Sequence, residues 1–178
     1  MWERAVPRYI YPLPTTMGVP RSLPFDLIVH SAAEELPEAD RALITAAHQA
    51  ALRAYAPYSN FQVGAALQMR DGRVVSGSNQ ENASFPAGSC AERVALHAAM
   101  AFDPHGVVET IAIVVPSASG DRPVAPCGIC RQALLEQEQR QGKEPLRLLM
   151  AIPNGPVYEV RSAGQLLPLS FDASFLNG

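Results

Sequence analysis

Apolar residues at Leu43, Ala46, Ala47 and Ala50 fall on one face of a 3.6-residue repeat. The stretch PEADRALITAAHQAALRAYA, from Pro37, therefore predicts a helix. The period then shortens. NFQVGAALQM and RVVSGSNQ read as two strands joined by a turn at Arg70–Gly72, a hairpin. A second helix opens at Cys90 within SFPAGSCAERVALHAAM. ETIAIVV is an apolar run of strand length and predicts a buried strand. GICRQALLEQEQRQ predicts a third helix, ended by Gly142. LRLLMAI and VYEVRS flank the turn PNGP as two more strands. Five strands and three helices in this mixed order predict a layered α/β domain.

Residues 1–36 break the pattern. They form a Pro-rich, non-periodic arm in which FDLIVH has strand character, and residues 37–178 form the folded domain. The chain holds no internal repeat and no low-complexity segment.

Composition narrows the class. At 178 residues the chain fits one domain with a core that needs no staples. With 48% hydrophobic and 17% charged residues it belongs with ordered globular proteins. A net charge of −3 gives no global pull toward nucleic acid or an anionic membrane. No apolar run approaches the ~20 residues of a membrane helix. The first thirty residues carry Arg4, Arg8 and Arg21, but YIYPLP and GVPRSLP are proline-broken and lack the apolar stretch of a secretory signal. Three cysteines, odd in number and sparse, argue against a disulfide framework and for a reducing compartment. A cytoplasmic protein is expected.

The cysteines carry the chemistry. APCGICRQ places Cys127 and Cys130 in a P-C-x-x-C at a helix start, where residues three apart share a face. Cys90, at another helix start, can supply a third thiolate to the same ion. Structural zinc sites are closed by four ligands, whereas catalytic ones keep three protein ligands and a water. The chain has no fourth cysteine. His97 lies two helical turns beyond Cys90, about 10 Å of rise away. His30, His48 and His105 lie outside any ligand spacing. The inventory favours an open zinc site with one ion per chain. Taken alone, P-C-x-x-C also fits a redox pair or half of a structural site, and Glu92 and Arg93 fit solvated charges of a first turn. The combination C-x-E-R with P-C-x-x-C-R-Q, each opening a helix, is far more specific than any part.

On these motifs the chain resembles the cytidine deaminases, the free-nucleoside branch of the zinc deaminases, whose superfamily signature pairs a Cys or His and a Glu with P-C-x-x-C. The resemblance spans residues 38–176 and includes AYAPYSNFQVGAAL, GSNQENASFPAGSCAER, PCGICRQ and LLPLSF. It implies a three-layer α/β/α fold with a mixed five-stranded sheet. It implies zinc ligands Cys90, Cys127 and Cys130, with Glu92 carrying protons between water, the base N3 and the leaving amino group. Three thiolates and Zn²⁺ sum to about −1, which opposes ionising a water; helix N-termini aimed at the sulfurs offset this. Arg93 is expected to donate to the thiolates, and Arg131 and Gln132, beside Cys130, to support them. Asn79 and Glu81 alternate on one face and match the pair that holds the ribose 3′-hydroxyl. Phe61 matches the ring that packs on the pyrimidine, and the Ala91 N–H the donor that reads the base O2. Phe85 in ENASFPAG and Phe171 in LLPLSF match segments that close a neighbouring subunit's pocket in tetrameric members, so a homotetramer is expected.

Two positions depart from the pattern. Phe85 stands where many members have Tyr, and Gln80 where an aliphatic residue is common.

The expected activity is zinc-dependent hydrolysis of cytidine and 2′-deoxycytidine to the uridines and ammonia, in pyrimidine salvage. A deaminase of a modified cytosine nucleoside would share the zinc motifs and differ around the sugar. A polynucleotide deaminase would need a basic groove and an aromatic platform. A non-catalytic module with structural zinc would need a fourth ligand and has no use for Glu92.

Overall fold

A computed structural model of the chain describes residues 19–23 and 25–176. The first eighteen residues of the arm, and whatever the sequence predicts for them, lie outside the described residues. Six strands form one sheet: β1 (Ile28–His30), β2 (Gly64–Met69), β3 (Val74–Ser78), β4 (Val108–Val114), β5 (Arg147–Ala151) and β6 (Val157–Val160). Their order is β1-β6-β5-β4-β2-β3. Only β4 and β5 run parallel; every other neighbouring pair is antiparallel. Three helices, α1 (Glu38–Ala51), α2 (Ala91–Phe102) and α3 (Gly128–Arg140), complete the fold.

The alternation of strand side chains sorts the core into two layers. Ala65, Leu67, Ile111, Ile113, Leu148 and Met150 pack with Ala95 and Leu96 of α2 and Leu134 of α3. Their neighbours Ala66, Ala112, Val114, Leu149 and Ala151 face the other way and meet Leu43 and Ala47 of α1. The molecule is a three-layer α/β/α sandwich, as the resemblance implies.

The sheet has six strands rather than five. The extra one, β1, lies inside the segment read as an arm and pairs antiparallel with β6, His30 opposite Val157. Three residues are too few to show a period. What holds them is a long-range contact: the His30 ring sits 2.8 Å from Glu159.

One glycine matters for the site. A Cβ on Gly77 of β3 would meet the Ala95 nitrogen at 2.5 Å and the Ala91 carbonyl oxygen at 2.8 Å. Only glycine lets the first turn of α2 lie this close to the sheet, and that turn carries Cys90, Ala91 and Glu92.

Candidate active site

Cys90 is the N-cap of α2 and Cys127 the N-cap of α3, with Cys130 in the first turn of α3. The two helix starts therefore aim their positive ends at one cluster of sulfurs. The Cys90 and Cys127 sulfurs are 3.9 Å apart, and those of Cys127 and Cys130 3.5 Å. All three lie within 4.8 Å of one another, and among the described residues no histidine or carboxylate joins the group.

This donor set fits zinc. Tetrahedral zinc with sulfur at ~2.3 Å spaces its thiolates about 3.8 Å apart. Within the cluster Cys90 is the sulfur that ionises readily: the Cys130 thiol, then Cys127 and Arg93, stabilise its thiolate and pull its pKa down to about 5 against the cost of burial. Cys130 moves the other way, because its proton serves Cys90 and because it is buried. Arg93 donates to the Gly88 carbonyl at 3.2 Å, while its Nε is buried with no partner among the described residues. A guanidinium with an unused donor beside sulfurs fits a cluster that carries negative charge.

Glu92 follows on α2 and is 5% exposed. Burial raises its carboxyl above the usual range. Ala91, between Cys90 and Glu92, is the first residue of the helix, so its N–H is among those that helical bonding leaves free.

Cys90 also forms one wall of a cavity of about 540 Å³, with Tyr58, Ser59, Asn79, Gln80, Glu81, Phe85 and Ser89 among its lining. Backbone bonds build the floor. Gln80 and Ser89 exchange N–H···O bonds, both at 2.9 Å. On the other side, Tyr55 N–H donates to Asn79 O at 3.0 Å and Glu81 N–H to Tyr55 O at 2.8 Å. Residues 79–81 are thus strapped between the segment before Cys90 and the loop after α1. The side chains of Asn79 and Glu81 grip that loop. Asn79 takes the Val63 N–H at 2.8 Å and donates to the Phe61 carbonyl at 2.9 Å. Glu81 accepts from the Tyr58 N–H at 2.9 Å, the Ser59 N–H at 3.3 Å and the Ser59 hydroxyl.

The structure brings Cys90, Asn79, Glu81 and Phe85 to the cavity. Phe61 is 43% exposed and is not part of that lining. Phe85, expected over a neighbour's pocket, edges onto Tyr58 of its own chain, with ring centroids 6.0 Å apart, and stays 76% exposed. Arg131 and Gln132 bond to backbone. Arg131 holds the Pro126 carbonyl at 2.8 Å, one residue before Cys127, and Leu166 O at 3.3 Å. Gln132 donates to Phe171 O at 2.9 Å, which anchors the C-terminal segment. Sequence reasoning missed Tyr58, Ser59 and Ser89. The first two sit in PYSN, between matched positions, and only their spacing from Phe61 could have marked them.

Three thiols gathered at two helix starts, beside a buried carboxylate and a cavity, define a zinc hydrolase. Comparison with known proteins narrows this class. Residues 37–141 match the family described as the cytidine and deoxycytidylate deaminase zinc-binding region. The chain is 45% identical over 135 residues to a cytidine deaminase of Halalkalibacterium halodurans, covering 76% of this chain and 96% of that protein. It is 42% identical over 128 residues to the cytidine deaminase of Mycobacterium tuberculosis, covering 70% and 84%. The crystal structure of cytidine deaminase from Burkholderia pseudomallei superposes with a TM-score of 0.64 at 46% identity, over 73% of this chain and 97% of that one. The chain belongs to the cytidine and deoxycytidylate deaminase family.

Proposed function

We propose that this protein hydrolyses cytidine and 2′-deoxycytidine to uridine and 2′-deoxyuridine with release of ammonia, as a step of pyrimidine salvage in the cytoplasm. One observation carries the reading: three thiols converge at two helix starts beside a buried carboxylate, and one of them, Cys90, walls a cavity of about 540 Å³.

Cys90, Cys127 and Cys130 would hold the zinc. Bound there, zinc supplies the Lewis acidity that makes water nucleophilic near neutral pH. Glu92 takes a proton from water and gives it to N3 of the cytosine, so that C4 accepts the hydroxide. Glu92 then carries a proton to the amino group, which leaves as ammonia. A raised carboxyl pKa suits a group that both takes and gives a proton. Ala91 N–H positions the base through O2, Phe61 packs on the ring, and Asn79 and Glu81 take the 3′-hydroxyl. Arg93 offsets thiolate charge, while Arg131 and Gln132 fix the backbone around Cys127 and the C-terminal segment.

The catalytic domain takes in strand β1 and Leu36 from the end of the 1–36 segment, together with 37–178, and the working form is a homotetramer. Exposed Phe85, and Phe171 stacked on Phe175 with centroids 5.8 Å apart, support apolar coverage by a neighbouring copy. Light scattering checks the mass.

The decisive test follows cytidine absorbance and ammonia together, with and without a chelator. The reading expects both signals to vanish with the metal and return with zinc. Turnover that survives full zinc removal overturns it, and unfolding on zinc removal favours a structural role for the metal.

A further inference from the structure

We infer that Ser59 is a positioning residue that sets sugar-hydroxyl specificity by fixing the Glu81 carboxylate at the cavity wall. The inference rests on the reading of Glu81 as the sugar acceptor given above. It adds the group that aims it.

An ionised carboxylate offers about four acceptor sites. In Glu81, Oε2 takes the Tyr58 N–H at 2.9 Å and the Ser59 N–H at 3.3 Å, and Oε1 takes the Ser59 hydroxyl. Three sites are filled, and the vacant one is on Oε1, the oxygen that only Ser59 restrains. The direction of the Ser59 bond is fixed by chemistry. Its hydroxyl has one proton, the carboxylate can only accept, and Oγ itself accepts the Phe61 N–H at 3.0 Å. A directed chain therefore runs from Phe61 N–H through Ser59 to Glu81, and each bond polarises the next. It links the backbone of the residue assigned to the base with the carboxylate assigned to the sugar. Ser59 and Glu81 both line the cavity, and both side chains are exposed enough to meet a ligand.

Without the Ser59 hydroxyl, Glu81 keeps two N–H donors on one oxygen, while Oε1 is free to turn to solvent. The Phe61 N–H also loses its acceptor. A ligand hydroxyl must then order Oε1 at its own expense. The loss falls on binding of a sugar that carries the hydroxyl, with little effect on the chemistry at Glu92.

The experiment compares steady-state constants of the zinc-loaded Ser59→Ala, Ser59→Thr and Glu81→Ala enzymes on cytidine and 3′-deoxycytidine. For Ser59→Ala we expect KM for cytidine to rise by about 5–10-fold, the size of one lost net hydrogen bond, with kcat within about twofold. KM for 3′-deoxycytidine should change far less, and Ser59→Thr, which keeps the hydroxyl, should restore discrimination. An equal rise on both substrates makes Ser59 a loop-packing residue and overturns the inference, as does an unchanged KM. If Glu81→Ala separates the two substrates but Ser59→Ala does not, the inference alone fails. If Glu81→Ala treats them alike, the sugar-site reading fails and takes the inference with it.

Discussion

Glu92, beside the thiols, and Glu81, on the cavity wall, are held in opposite ways. Glu92 is packed into the first turn of α2, where loss of water raises its carboxyl above the usual range. Glu81 lies on an exposed strap, where the Ser59 hydroxyl, then the Tyr58 N–H, hold its carboxyl below that range. The same side chain is tuned toward two tasks. A carboxyl raised by burial holds a proton more readily than a solvated one, which suits a group that must take and give one. A carboxylate kept ionised by donors offers only lone pairs, which suits holding hydroxyls. On the proposed roles, environment, and not residue type, separates a proton carrier from a binder.

The largest effect that can break this contrast is at Glu92. Glu92→Gln keeps the shape and removes the titration. It should keep its zinc and its fold and lose about 10²-fold or more in turnover on cytidine, measured by absorbance loss. Turnover within a few fold of wild type would remove Glu92 from the chemistry.

At Glu81 the change should be smaller and of another kind. Glu81→Ala should lower kcat/KM for cytidine by ~10–100-fold, mostly through KM, because a charged acceptor is lost. A matching fall in kcat with KM unchanged would place Glu81 with Glu92 rather than opposite it.

The contrast also explains what could be read in advance. Metal chemistry demands particular side chains at particular spacings, so Cys90, Cys127 and Cys130 were legible one letter at a time. So was a layered α/β order, because apolar runs of strand length alternate with helical repeats; which strand residue faces which layer was not, because β2, β4 and β5 are apolar on both faces. The floor of the cavity was not legible. It is made by backbone bonds from Tyr55 and Ser89 to residues 79–81, and backbone bonds leave no letter in the sequence. Ser59 escaped because a serine in a turn is ordinary until its hydroxyl is seen on Glu81. The strand character of FDLIVH was legible, but its place in the sheet was not, because its partner, β6, lies near the other end of the chain. Gly77 shows a middle case. The letter was visible in RVVSGSNQ, but the helix pressed against it was not.

A third carboxylate sharpens the comparison, with the smallest effect. Glu159 is 9% exposed, nearly as hidden as Glu92, yet its carboxyl is lowered like that of Glu81. The main cause is Arg147, whose Nε donates to Glu159 Oε1 at 2.9 Å, with His30 adding a second contact at 2.8 Å. Arg147 also grips Asp40 of α1 with two bonds of 2.8 Å, and the His30 ring has Glu35 at 4.0 Å on its other side. Burial and charge therefore compete: at Glu92 the loss of water outweighs the pull of Arg93, and at Glu159 the direct bonds from Arg147 and His30 outweigh the loss of water. The sign of the consequence follows by linkage. A carboxyl lowered by folding contributes stability that is present above its unfolded pKa of about 4.3 and is lost as pH falls through the lowered value. Glu159→Gln should be less stable than wild type at pH 6 by about 1 kcal/mol, a charged bond's worth reduced for partial solvent access. That gap should close as pH drops below about 4. Activity at neutral pH should be unaffected, since Glu159 lies on β6 and outside the cavity lining. Because His30 ties β1 to β6 through this carboxylate, amide exchange in Ile28–His30 should quicken before the rest of the sheet. A stability gap that stays constant from pH 6 to pH 3 would mean that Glu159 acts through packing, and burial alone would then have to explain why it differs from Glu92.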